Sequence, residues 1–175
     1  YKSKTNLFQD VVETILGQQP SNKAADTIIN RFKLKFKTKT FPSAKNILGT
    51  PDEIIRECGT SWAKVKYIKN FCQFVKSGDL DLESLLLQSD QEVIQNLTKV
   101  KGIGRWTAEM ILIFSLKRPD VFSIGDLGLR TAVAKHYEIS RDDLKEIEKI
   151  SQQWSPHRSL ASRYLWKSLD VKKES

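Results

Sequence analysis

A Gly-Ile-Gly turn at residues 102–104 is framed by Leu97-Thr-Lys-Val-Lys101 and Arg105-Trp-Thr-Ala108, and a carboxylate, Asp126, follows in Ser123-Ile-Gly-Asp-Leu-Gly128. The first run reads as helix, tight turn, helix. Such a turn exposes backbone N–H groups at the start of a helix, where the dipole favours an anion. Glycine lets the backbone approach that anion with no Cβ in the way. The candidate contacts are Lys101, Gly102, Ile103, Gly104, Arg105 and Thr107, which supply amides, two cations and a hydroxyl. For a chain this basic the natural anion is a nucleic-acid phosphate. Asp126 downstream then points to chemistry performed on the nucleic acid.

Taken alone, a Gly-x-Gly corner between helices is weak evidence, since glycine serves many such corners through its positive φ. Here Leu97 and Val100 precede the turn, and Thr107 and Ala108 follow it. That is the full helix-hairpin-helix pattern, spanning about residues 90–116, and it favours phosphate binding without base specificity. The carbonyls of Thr98, Val100 and Gly102 offer a place for a monovalent cation, Na⁺ or K⁺, that needs no carboxylate ligand. Asp126 has an ordinary alternative. It precedes Leu127-Gly-Leu-Arg-Thr-Ala-Val133, a plausible helix, and fits an N-cap. The two roles are compatible.

The bulk properties agree with this reading. The chain has 175 residues, long enough to bury a core without staples, and Lys plus Arg exceed Asp plus Glu by 29 to 21 for a net charge of +8. Two cysteines, Cys58 and Cys72, lie in helical patterns and read as core thiols of a reducing compartment. With two histidines they cannot make a Cys₄ iron–sulfur or zinc site. No apolar run of membrane-spanning length and no signal-peptide pattern occurs, so a soluble, intracellular, DNA-associated protein is expected. Because the chain begins at Tyr1 rather than Met, an N-terminal piece is expected to have been trimmed or left out.

Helices must position these groups. A 3.6-residue period recurs and no stretch alternates as a strand does, so the fold class is all-α. Leu7, Phe8, Val11, Val12, Ile15 and Leu16 form one stripe, with Asn6 and Gln9 spaced as a capping box. Ser21 is placed to cap a second helix through Ala24, Ala25, Ile28, Ile29 and Phe32, and Arg31–Lys39 reads as its frayed end and a loop. Thr50-Pro51-Asp52-Glu53 is a start signal; Trp62, Val65, Ile68, Phe71, Cys72 and Val75 mark a longer helix ending at Gly78. Ser89 and Glu92 box the helix that enters the hairpin, and the helix leaving it ends before Pro119. Ser140 and Ser155-Pro156 are expected to open the last two helices. Trp62 and Trp154 sit on apolar stripes and are expected in the core.

The ordered motifs resemble the helix-hairpin-helix (HhH-GPD) DNA glycosylases of base excision repair, nearest the 3-methyladenine DNA glycosylase II (alkylbase) branch. Ile15-Leu-Gly-Gln-Gln19 with Lys23-Ala-Ala25 resembles the first-helix signature, and Gly59-Thr-Ser61, Lys64 and Tyr67-Ile68 resemble a second segment. Lys101–Ala108 is the hairpin, Asp120-Val-Phe122 through Asp126 resembles the catalytic segment, and Trp154-Ser-Pro-His-Arg-Ser159 with Tyr164-Leu-Trp166 resembles the C-terminal signature.

The resemblance implies a fold of roughly ten helices in a single domain over residues 1–175. It implies two lobes, about 7–118 and 119–175 with the N-terminal segment, and a cleft between them that receives a base flipped from the duplex. Asp126 is implied as the catalytic carboxylate. Trp106 stands where the bifunctional branch carries a Schiff-base lysine, so a monofunctional enzyme is expected, with no cofactor and no iron–sulfur cluster. Met110 and Leu127 stand at pocket positions where relatives have aromatic residues, and Lys101 replaces a usual proline. Gln19 lies where a relative wedges the DNA stack; Gln18 either contacts the opened duplex or bridges helices as a buried amide.

Breaking a base–sugar bond develops oxocarbenium charge that a carboxylate stabilises. With one acid evident the leaving group must already be good, as in cationic N3- and N7-alkylated purines. Indoles bind such rings by cation–π attraction, about 0.5–2 kcal/mol each, and Trp106 and Trp166 are the candidates. The expected partner is damaged double-stranded DNA, bound by a monomer away from membranes. The competing readings are a helix-hairpin-helix binding module without catalysis, in which Asp126 is only a cap, and a glycosylase of the same fold for another damaged base.

Overall fold

The stripe Leu7, Val11, Val12, Ile15 and Leu16 is fully or almost fully buried, and it forms α1 (Leu7–Gly17) because Asn6 accepts the Gln9 amide at its start. Half of the expected box is present. The Gln9 side chain turns to Glu13 instead of reaching back to Asn6. The computed structural model describes residues 6–18, 22–36 and 40–170. Ser21 and Gln19 lie outside the described residues.

Ten α-helices and no strand occur among the described residues. After α1 come α2 (Asn22–Lys35), α3 (Ala44–Leu48), α4 (Asp52–Arg56), α5 (Trp62–Ser77), α6 (Asp90–Thr98) and α7 (Arg105–Met110). A π-helical turn, Ile111–Ser115, follows α7, and then α8 (Leu127–Tyr137), α9 (Leu144–Gln152) and α10 (Arg158–Asp170). None of these helices is long and apolar enough to cross a membrane. The chain divides into two units, Tyr1–Ile111 and Leu112–Ser175.

In the first unit Phe71 of α5 stacks on Phe8 of α1 at 5.4 Å, and Phe32 of α2 meets Phe36 and Phe41. In the second, Val133, Ile147 and Ile150 form a core that Phe122, Ile124, Trp154 and Leu165 enclose. Gly78 ends α5 at φ 84°, and Ser89 and Glu92 make the expected reciprocal box on α6.

Several boundaries differ from the sequence reading. Thr50 does not cap α4: its hydroxyl donates to the Asn46 carbonyl, and Pro51 occupies the cap position with no side-chain bond. Asp143, not Ser140, caps α9, since in Ser140-Arg-Asp-Asp143 three side chains compete and the nearest to the apolar stripe wins. The last helix begins at Arg158 rather than at Ser155-Pro156. Trp62, the first residue of α5, is 50% exposed and is not core, and Ala24 is exposed on α2, while Trp154 is enclosed as expected. α2 continues to Lys35, so part of the segment read as a frayed end and loop is helix.

Candidate functional site

Helix α6 delivers the chain into a turn at Lys99–Gly102 and α7 takes it away. Val100 and Ile103 are buried, with the Ile103 amide closing the turn on the Val100 carbonyl at 3.0 Å. These two apolar anchors leave Lys101, Gly104, Arg105 and Trp106 on the exposed side. The glycines have different reasons to be there. Gly102 has φ +105°, and a Cβ on it would overlap the Tyr67 ring of α5. Gly104 caps α7 at φ −87° and ψ 173°, which any residue adopts, and a Cβ there would meet nothing within 4 Å. The folded chain therefore has no need of glycine at 104. A partner that must come close to the backbone would.

The residues behind the turn are committed to holding it. Thr107, expected to offer its hydroxyl to the anion, is 3% exposed, and its Oγ1 accepts from Gln18 Nε2 at 2.9 Å. This corrects its role: the side chain faces inward, because position three of α7 points back at α1. Gln18 takes the bridging alternative, its amide also lying 3.4 Å from the Gly102 carbonyl. Arg105 is 65% exposed at the side chain while its Nε bonds the buried Glu109 at 2.8 Å, which fixes where the guanidinium sits. Met110 is 7% exposed and belongs to the core, whereas Trp106 is 37% exposed.

In the second unit Asp126 caps α8. Its Oδ1 accepts the Leu129 amide at 2.7 Å and the Trp166 indole N–H at 2.9 Å. Gly128 leaves room for this bond: a Cβ there would stand 3.1 Å from Oδ1 and 3.3 Å from the Trp166 ring, so a neighbour would have to give by a few tenths of an ångström. Phe114, carried outward by the π-helical turn, is 44% exposed and lies 5.6 Å from Trp166 between ring centroids. Leu127 is 54% exposed beside the aspartate.

The loop before Asp126 is fixed to the start of α10. Arg158 binds Asp120 through Nε–Oδ1 at 2.7 Å and Nη2–Oδ2 at 2.9 Å, and Ser155 adds a bond at 2.8 Å. The Arg158 side chain holds the Asp120 carboxyl down to about 2. Ser159 donates its amide to the Pro119 carbonyl and accepts the Val121 amide, both at 3.0 Å. Two segments singled out separately in the sequence, 120–126 and 154–166, are thus one assembly. Gly128, Phe114, Lys64 and Tyr67 are the positions whose site roles sequence reasoning did not assign. Only Gly128, a glycine inside a helical pattern, carried a local signal.

Burial pushes the Cys72 thiol up to about 12 and raises that of Cys58, as core thiols require. Among the described residues no group of three or more His, Cys, Asp or Glu could hold a metal ion.

The sequence pattern of the HhH-GPD superfamily of base excision DNA repair proteins matches residues 12–157. The chain is 36% identical over 167 residues to DNA-3-methyladenine glycosylase 1 of Schizosaccharomyces pombe, covering 94% of this chain and 73% of that protein. A solved structure of 3-methyladenine DNA glycosylase (Mag1) of the same yeast, in complex with abasic DNA, superposes with a TM-score of 0.85 at 35% identity, over 94% of this chain and 81% of that one. The DNA-3-methyladenine glycosidase of Bacillus halodurans gives a TM-score of 0.82 at 36% identity, over 97% and 78%.

Proposed function

The chain belongs to the HhH-GPD superfamily of base excision DNA repair proteins, and we propose that it hydrolyses the N-glycosidic bond of alkylated purines in duplex DNA, leaving an abasic site. Relatives bearing the name DNA-3-methyladenine glycosylase support 3-methyladenine as a substrate, and 7-methylguanine joins it on the chemical ground that its base is a cationic leaving group as well. The observation that carries the reading is the carboxylate of Asp126, with two N–H donors converging on one oxygen beside the exposed Leu127 and Phe114.

In an alkylated purine the base already bears positive charge. As the C1′–N bond lengthens, its electron pair leaves with the base and charge grows on the sugar. Asp126 stabilises that charge and orients or deprotonates the water that adds to C1′. Helix α8 and Trp166 hold the carboxylate in place before substrate arrives, so little reorganisation is needed at the moment of reaction. Trp166 and Phe114 offer ring faces for a flipped, electron-poor base. No amine is used, and the enzyme is monofunctional.

DNA is held at the hairpin by the backbone around Gly104, with Lys101 and Arg105 supplying salt-sensitive attraction. The carbonyls of Thr98, Val100 and Gly102 would hold a monovalent cation. Val100 accepts from the Ile103 amide and Gly102 from Gln18, and a carbonyl oxygen has a second lone pair for an ion. Such an ion supplies positive charge to a phosphate. The protein acts as a monomer.

The test is incubation of the protein with methylated duplex DNA. Free 3-methyladenine and 7-methylguanine and strands that break only on alkaline treatment are expected. Strand cleavage with a borohydride-trapped adduct would overturn the monofunctional reading, and absence of released base would overturn the glycosylase. The cap bond to Leu129 is also what a non-catalytic DNA-binding module predicts, so Asp126 itself must be tested.

A further inference from the structure

Lys64 lies on α5, a turn before Tyr67, and its side chain runs to the end of α1. The ammonium donates to the Leu16 carbonyl at 2.8 Å and to the Gln18 carbonyl at 2.5 Å. Those are last-turn and capping carbonyls without a helical partner, where a cation is favourable. Helix α1 has no basic residue of its own in that turn. Gln18 leaves the helix at φ −58° and ψ 130°, and its side chain then reaches Thr107 and Gly102 of the hairpin. Two supports of the hairpin therefore issue from one face of α5. Tyr67 packs directly against Gly102, and Lys64 works through the backbone of Gln18.

We propose that Lys64 is a positioning residue for the DNA-anchoring hairpin, acting through Gln18 without touching DNA. This rests on the reading of the hairpin as the phosphate anchor. The ammonium fixes the Gln18 main chain, so that the amide donates to Thr107 Oγ1 and steadies the first turn of α7, where Gly104 presents its backbone. With an uncharged stem at 64, the Gln18 carbonyl loses its donor and the amide is free to leave the hairpin.

The experiment is a double-mutant cycle on affinity for an unmodified DNA duplex, with the salt dependence of each variant. Lys64→Met and Gln18→Leu are each expected to weaken binding about five- to tenfold, and the double variant no more than either alone. Lys64→Arg should restore most of the loss. The slope of log affinity against log salt should stay that of the parent, because no phosphate contact is removed. A slope reduced by about one would make Lys64 a direct phosphate ligand and overturn the proposal. Additive losses, or unchanged affinity in Lys64→Met, would overturn it too. If Lys64→Met does not fold, Lys64→Gln is read by the same criteria. Gly104→Asp, which sets an anion at the anchor, separates the two levels. If it costs no affinity, the anchor reading falls and Lys64 falls with it; if it does and Lys64→Met does not, only the role of Lys64 falls.

Discussion

Gly102 meets the Tyr67 ring so closely, at φ +105°, that a methyl group on its α-carbon would overlap the Cβ and Cγ atoms of the tyrosine. Two residues on, Gly104 faces open space in a conformation any residue adopts. The fold requires glycine at 102 and not at 104; the proposed close approach of a phosphate is what would require it at 104. Gly102→Ala is therefore expected to cost at least about 2 kcal/mol of stability, from the unfavourable φ and the forced repacking of Tyr67. Gly104→Ala should stay within about 0.5 kcal/mol of the parent and yet weaken DNA binding about tenfold. Chemical denaturation and a binding titration of both variants check this; equal stability losses would contradict it.

Trp166 gives its indole N–H to the same Asp126 oxygen that caps α8. Trp166→Phe keeps a ring against Phe114 and removes that donor. A hydrogen bond to a charged group is worth about 1.5–3 kcal/mol, so kcat for base release should fall roughly ten- to a hundredfold with KM little changed. A rise in KM at constant kcat would show that the indole serves binding alone.

Asp120 and Arg158 set a pH limit on the second unit. The Asp120 carboxyl lies at about 2 in the folded protein against an ordinary 3.8. A depressed carboxyl stabilises the fold above its unfolded value, and that contribution is lost as pH falls through the folded one. Stability should therefore decline between about pH 4 and pH 2 in the parent. Arg158→Met should be less stable by about 2 kcal/mol at neutral pH and lose less on acidification. Thermal melts across that range decide the matter, and identical acid profiles would exclude the pair as their source.

Cys58 and Cys72 are buried thiols that burial makes weaker acids than usual, the Cys72 pKa being pushed up to about 12. Since the thiolate is the reactive species, neither should react with a thiol reagent at pH 8 in the folded protein, and both should react on denaturation. Rapid modification of native protein would contradict the assignment of both to the core.

What the sequence makes legible here is local. The cap at Asp126, the box of Ser89 and Glu92 and the stop at Gly78 each depend on residues within a turn of one another, and all are found. Where several capping types crowd together, as at Ser140-Arg-Asp-Asp143, local rules do not choose among them. Phe114 escaped because the π-helical turn breaks the 3.6 period that would have placed it. The inward Thr107, the Gln18 bridge, the Lys64 clamp and the Trp166 bond to Asp126 join residues far apart in the chain. Periodicity carries no information about such pairs. Thr107 and Asp126 stood out through the hairpin pattern and Gln18, Lys64 and Trp166 through resemblance, and only the fold gives them partners.

The measurement that bears most directly on the account is base release by Asp126→Asn. Asparagine is as good an N-cap as aspartate, so the Leu129 bond and the stability of α8 should survive the change. What disappears is the negative charge that is proposed to face the sugar. With DNA affinity and melting temperature close to the parent, release of 3-methyladenine and 7-methylguanine should drop at least about a hundredfold. Undiminished release would remove Asp126 from the reaction and leave it as a helix cap.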